Sequence, residues 1–249
     1  MDPRLEQVPG FGECRRCLYN TSGPAELCYA CAQRTIEPLA DNRCTVCDRP
    51  FADDEITCRN PLCTRADRAF RCNYAVAMRS GELQRAINKY KYEMRYGWAL
   101  VFGRVLIGFL EQEADLFRGF DVITASPTYV GRGGRTFDHT RTVLEKAAEE
   151  AWPGEAWPFD LDGPPLIVKT APTPAMVGHT YRERRDIAEG QLRNALQVTR
   201  PQDVAGRRVL IYDDVFTDGL TLNEVARALR AVGVAEVCGI SLCRQPFRG

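Results

Sequence analysis

The pattern of apolar and polar positions divides this chain into strands and helices before any chemistry is considered. Val209-Leu210-Ile211-Tyr212 places four apolar residues in a row, which predicts a strand buried on both faces, as in a parallel sheet. Beyond it, Leu222, Val225, Ala226, Leu229 and Val232 recur at helical spacing, and Gly233 suits the position just past the helix end. Residues 121–127 read as another strand, ending at Pro127, with a helix expected from about 137 to 151. Leu166-Ile167-Val168 reads as a third strand. Between 81 and 112 the residues Leu83, Ile87, Tyr90, Met94, Trp98, Val101, Val105 and Phe109 step by three or four. That stripe predicts one long helix, interrupted if anywhere at Gly97. Strands alternating with helices predict an α/β domain with a mostly parallel sheet and helices on both faces.

The first third carries a different pattern. Eight cysteines stand as Cys14-x2-Cys17-x10-Cys28-x2-Cys31 and Cys44-x2-Cys47-x10-Cys58-x4-Cys63, with the same ten-residue gap in both halves. Paired Cys-x-x-Cys spacing with no export signal ahead of it favours metal over disulfides. Each half supplies the four thiolates of a tetrahedral structural Zn²⁺ site, so two zincs are expected. Binding of such a metal is worth roughly 10–16 kcal/mol, which is effectively the folding energy of a segment poor in large aliphatics. Sequential quartets are the simplest pairing, and a cross-braced arrangement fits the spacing too. Cys72 is expected as a buried thiol, and Cys238 and Cys243 as core. The chain thus divides into a cysteine module, residues 1–73, and an α/β domain, residues 74–249.

Composition narrows the partners. The 33 Lys and Arg balance the 33 Asp and Glu, so no global field draws the chain to DNA or to an anionic membrane. Residues 1–73 hold ten Arg and no Lys against eleven acidic groups, no electrostatic footprint for nucleic acid. No apolar run approaches the roughly 18–20 residues of a spanning helix, and a soluble cytoplasmic protein is the expectation. Arg85, Lys89, Lys91, Arg95 and Arg104, with Tyr92 and Tyr96 among them, could form a stacking surface for single-stranded nucleic acid. A core helix with a solvated basic face is the plainer reading and the one expected here.

The candidate chemistry follows the first strand described. Asp213 and Asp214 stand at its end, then Thr217, Asp218, Gly219, Leu220 and Thr221 form a short loop before the helix. Backbone N–H groups of such a loop and the helix N-terminus favour a phosphate, the dipole alone by roughly 0.3–2 kcal/mol. The carboxylates are placed to accept hydrogen bonds from vicinal ribose hydroxyls, or to hold waters around Mg²⁺.

This run, DDVFTDGLT, resembles the phosphoribosyl-pyrophosphate (PRPP) signature of type I phosphoribosyltransferases. The resemblance implies that Asp213 and Asp214 take the ribose, with Val215 beside them, while Thr217, Asp218, Gly219, Leu220 and Thr221 wrap the 5′-phosphate. That family usually has a small hydroxyl residue where Asp218 stands. A carboxylate about 6 Å from a phosphate costs about 3 kcal/mol per charge pair at an effective dielectric of about 20. Asp218 must therefore point outward, meet a cation, or weaken phosphate binding. The family's pyrophosphate loop corresponds in order to Tyr129, Val130, Arg132 and Arg135.

Residues 169–200 hold six basic and three acidic groups on a long irregular segment, which suits a mobile basic lid closing over a diphosphate. Arg182 and Arg185 are its candidate catalytic cations; a solvated helix face pairing Glu183 and Glu189 with arginines is the alternative. His139, early in a helix, could donate to a phosphate, and a capping or surface role is the expectation for it.

Taken in order, the cysteine module, a Lys-Tyr helix, Arg135-Thr136-Phe137-Asp138-His139, a Thr-rich basic loop and the PRPP motif resemble the ComF family, associated with DNA uptake. The resemblance implies a protein that binds PRPP with Mg²⁺ and transfers phosphoribose to a nitrogen nucleophile. The alternative is a non-catalytic PRPP or nucleotide sensor, or a DNA-uptake adaptor docking on a protein of the uptake machinery.

Overall fold

The structure, a computed structural model, describes residues 39–151 and 156–246. Cys14, Cys17, Cys28 and Cys31 therefore lie outside the described residues. In chain order, a helical turn α1 (Pro61–Thr64) precedes β1 (Asn73–Met78), α2 (Gly81–Tyr92), α3 (Trp98–Gln112) and the short α4 (Ala114–Phe117). Next come β2 (Val122–Ala125), α5 (His139–Glu150), β3 (Ile167–Lys169), α6 (Tyr181–Ile187) and, after a π-helical turn at Ala188–Leu192, α7 (Arg193–Ala195). The chain closes with β4 (Leu196–Val198), β5 (Arg208–Phe216), α8 (Leu220–Ala231) and β6 (Glu236–Arg244).

Four strands make one parallel sheet in the order β1-β6-β5-β2, so the predicted strand at 209–212 runs through its middle. Side chains alternate across a strand. Leu210 and Tyr212 join Ile240 and Leu242 beneath α2, α3 and α5, while Val209 and Ile211 join Val237 against α8. Burial on both faces is why the apolar run is continuous rather than alternating. Gly233 adopts φ 91° just past the C-cap of α8, as its position predicts.

The expected long helix is two helices. Met94 takes a left-handed φ of 54° and is exposed, and Glu93 and Arg95 both donate backbone N–H bonds to Lys89 O. The break thus falls before Gly97. The apolar period passes through it because Trp98 resumes the buried stripe on the far side. The solvated basic face also needs correcting. Arg104 is buried and donates to Glu150 at 2.7 Å, and Lys91 is turned inward. Within α3, Gly103 lets that helix approach α5, since a Cβ there would meet Ala147 N at 2.7 Å.

Segments 39–72 and 167–198 cover the other face. Cys44, Cys47, Leu62 and Phe70 share one apolar cluster with Val209, Ile211 and Val225. Ala75 N donates to Asp48 at 2.7 Å, Ala69 N to Asn223 at 2.9 Å, and Asn60 Nδ2 to Asp218 O at 2.9 Å. The second cysteine quartet is thereby stitched to the sheet and to the bend after β5. Residues 167–198 form a hood: β3 pairs antiparallel with β4, an element with no apolar run to announce it, and α6 lies between them in sequence.

The bend itself depends on Gly219, which has φ 89° and whose Cβ would lie 2.6 Å from Phe216 Cζ. Left-handed backbone costs an L-residue roughly 1–2 kcal/mol, and the ring must also move. Gly219→Ala should therefore lose about 2–3 kcal/mol in urea unfolding; a midpoint equal to wild type would mean that the bend relaxes freely.

Candidate functional site

A cavity of about 1030 Å³ opens at the carboxyl ends of the strands, between the bend after β5 and the hood. That is where parallel sheets place their ligands. Asp213, Thr217, Gly219 and Thr221 form its floor, Tyr129, Arg135 and His139 one wall, and Lys169 and Arg184 reach it from the hood.

Strand β5 does not stop at the acidic pair. It continues to Phe216, with Asp213 opposite Ser241 and Val215 opposite Cys243. The two adjacent acids therefore point to opposite faces. Asp213 lines the cavity, whereas Asp214 is only 2% exposed and lies outside the lining. Lys91 Nζ sits 2.8 Å from Asp214 Oδ2, and His139 Nε2 lies 3.7 Å from the same oxygen. Burial would raise the Asp214 pKa, but Lys91, His139 and Asp213 together outweigh it and hold the carboxyl well below the usual carboxylate range. Asp213 is the opposite case: burial and the adjacent Asp214 carboxylate push it up to about 7. His139 is lowered by burial to about 3, so its imidazole is neutral near pH 7, and its Nδ1 lies 3.3 Å from Thr128 Oγ1. The expected capping or surface role of His139 is thus corrected to a buried one behind the acidic pair.

Asp218 meets a cation. Its Oδ2 lies 3.0 Å from Arg184 Nε, its Oδ1 accepts from Leu220 N at 3.1 Å, and the residue is 5% exposed. Of the three expected outcomes for this carboxylate, neutralisation is the one found.

Among the sequence candidates, Asp213, Val215, Thr217, Asp218, Gly219, Thr221, Tyr129 and Arg135 are brought together around the cavity. Leu220 is buried beneath the bend. Val130 and Arg132 are exposed and outside the lining, because alternation turns Val130 away from Tyr129's side. Arg182 and Arg185 also point outward, and Arg185 pairs with Glu189 at 2.9 Å. Tyr181, Arg184 and Ala188 share the inward face at helical spacing, so the basic lid does reach the cavity, through the arginine between the two expected ones. Lys91 and Arg184 were missed as site residues, and His139, weighed as a phosphate donor, was set aside for a capping or surface role. A signal existed for Lys91: it stands four residues after Ile87, on the buried stripe rather than opposite it.

A second site lies behind the bend. The ligand atoms of Cys44, Cys47, Cys58 and Cys63 all fall within 4.8 Å of one another. Cys44 Sγ is 3.9 Å from Cys63 Sγ, and Cys47 Sγ is 3.7 Å from Cys58 Sγ. A regular tetrahedron of Zn–S bonds of about 2.3 Å has edges of about 3.8 Å, so the four thiols fit that ion. Among the described residues the quartet closes on its own four members, the sequential grouping rather than the cross-braced one. Arg244, wholly buried, donates from Nε to Cys47 O at 2.7 Å and from Nη1 to Thr217 O at 2.6 Å. One side chain thus joins the cysteine knuckle to the bend that floors the cavity. Cys72, Cys238 and Cys243 are buried thiols, as expected, with Cys72 and Cys238 Sγ 3.5 Å apart.

Comparison with known proteins agrees with this geometry. Residues 173–248 match the family model described as the phosphoribosyl transferase domain, a span that takes in α6, the bend, α8 and the central strands. Competence protein F of Haemophilus influenzae is 40% identical over 65 residues, covering 24% of this chain and 28% of that protein. The chain therefore spans little more than a quarter of the relative's length in this match. No described helix is long and apolar enough to cross a membrane.

Proposed function

We propose that the chain is a ComF-like protein of the type I phosphoribosyltransferase family, as its partial matches support, and that it binds PRPP with Mg²⁺ and transfers phosphoribose to a nitrogen nucleophile. The observation that carries this reading is the bend Thr217–Thr221, whose Thr217, Asp218, Gly219 and Thr221 line a 1030 Å³ cavity with Asp213 beside them and a basic hood above. Asp213 accepts hydrogen bonds from ribose hydroxyls, and the 5′-phosphate rests on the bend's N–H groups and threonine hydroxyls. Asp213, crowded by Asp214 and with Lys91 bonded to that neighbour, is a donor that suits a divalent cation. When bound with the diphosphate, Mg²⁺ supplies positive charge to the leaving group.

In transfer, the bond from the ribose carbon to pyrophosphate breaks as the nucleophile's lone pair forms the new C–N bond, through an oxocarbenium-like state. Arg135 and Lys169 line the same cavity and stabilise the departing charge. Burial, reinforced by Arg135, lowers Lys169, so its proton is more easily given up than that of an exposed lysine.

A calorimetric titration tests the reading. PRPP with Mg²⁺ should bind the wild-type chain, and Asp213→Asn should weaken it by at least about tenfold, or about 1.4 kcal/mol. Equal affinity in the two proteins would refute the assignment. A second reading, a sensor that binds without turnover, is favoured by Asp218, whose carboxylate takes the Leu220 N–H that a phosphate would otherwise use. Release of pyrophosphate with any acceptor discriminates for the enzyme, and binding without consumption for the sensor. The relative's name concerns competence; by extension we assign this chain a cytoplasmic place in DNA uptake and a protein partner there, with loss of transformation on deletion as its check.

A further inference from the structure

The acidic bend poses a physical problem that the hood answers. Asp218 lies within the stretch that would hold the phosphate, is almost fully buried, and presents a full negative charge next to where another must sit. Water cannot screen it well at that depth. Its Oδ1 accepts from the first N–H of α8, and its Oδ2, which takes no hydrogen bond, forms an ion pair with Arg184 Nε at 3.0 Å. Arg184 comes from α6 of the hood, more than thirty residues earlier in the chain, and lines the cavity.

The hood is itself docked by charge. Arg193 Nε donates to the buried Glu224 of α8 at 2.6 Å, and Arg65 Nη1 reaches Glu189 at 2.7 Å from the cysteine segment. Those contacts hold α6 over the bend and keep the guanidinium of Arg184 where Asp218 is.

We propose that Arg184 is the specificity-determining residue that makes this acidic bend competent for a phosphate, by neutralising Asp218, so that a phosphorylated ribose is accepted only while the hood is docked. The inference rests on the PRPP reading and adds to it a condition: phosphate affinity and hood closure are linked through one ion pair. In an undocked hood the Asp218 carboxylate stands alone and repels the ligand. Arg184 does not need to touch the phosphate itself; its value to binding lies in what it does to Asp218.

That distinction is measurable. Affinities for ribose 5-phosphate and for PRPP with Mg²⁺ are compared in the full chain for wild type, Arg184→Met, Asp218→Ser and the double variant. Arg184→Met alone should weaken both ligands by tenfold or more. In the Asp218→Ser background the same change should cost no more than about threefold, with the double variant restored to near wild type. A merely structural role for Arg184 would leave the double variant as weak as the single one, and an equal loss in both backgrounds overturns the proposal. Asp213→Asn serves as the control for the underlying reading. If it weakens binding while Arg184→Met does not, the PRPP site stands and this inference falls. If the wild-type chain binds neither ligand, both fall together.

Discussion

On the proposed reading of the Cys44, Cys47, Cys58 and Cys63 quartet as a zinc site, chelation should abolish PRPP binding together with the structure of the knuckle. A zinc tetrathiolate carries net negative charge, and the buried Arg244 guanidinium lies 3.7 Å from Cys47 Sγ. The same side chain donates to Thr217 O in the bend after β5, and Asn60 ties the knuckle to Asp218 O. Without the metal, four thiols protonate, Arg244 loses its counter-charge, and the bend loses two of its anchors. Structural zinc contributes roughly 10–16 kcal/mol in small modules, more than most domains have to spare. Cys47→Ser or exhaustive chelation should thus lower the thermal midpoint by tens of degrees, and restoring Zn²⁺ after chelation should recover binding. A zinc-free protein that binds PRPP with unchanged affinity would show that knuckle and cavity are independent. Because the second quartet shares its apolar cluster with the sheet, residues 44–63 should not unfold ahead of it as a separate module.

Replacing Lys91 by Met should be the most damaging single change at the acidic pair. Lys91 and Asp214 form a buried ion pair, with side chains 16% and 3% exposed. Removing one partner leaves a charge in a poor dielectric, at a cost of about 3–5 kcal/mol. For a chain of this size that lowers the thermal midpoint by about 10 °C. The acid limb of the stability profile gives the sign. Asp214 is depressed in the folded state, so its contribution is fully present above its unfolded value of about 3.9 and is lost as the pH falls through the lower folded value. In Lys91→Met that contribution disappears, and stability should no longer fall with acid on account of this group. The double variant Lys91→Met with Asp214→Asn should recover most of the loss. A single variant within about 1 kcal/mol of wild type would contradict the pairing.

What could be read without coordinates was whatever is encoded locally. Four consecutive apolar residues announced β5, the cysteine spacing announced the quartet that closes at 44, 47, 58 and 63, and DDVFTDGLT announced the bend and helix start. The stretch from 81 to 112 was harder, because a left-handed Met94 leaves the apolar period intact. The hood was harder still: the apolar run at 166–168 announced β3, but its antiparallel partner β4 is three residues long and no apolar run marks it.

The sequence by itself determined the kind of sheet, the cysteine quartet and the residue types gathered at the bend after β5, since period, spacing and local turn chemistry act over a few residues. Tertiary structure alone decided which of them meet. Strand alternation sent Asp213 to the cavity and Asp214 to Lys91; helical phase chose Arg184 over Arg182 and Arg185; and Arg244 linked a cysteine nearly two hundred residues away to the bend. Electrostatic partnership depends on distance in space, and a charge in a linear chain carries no mark of the one it will face.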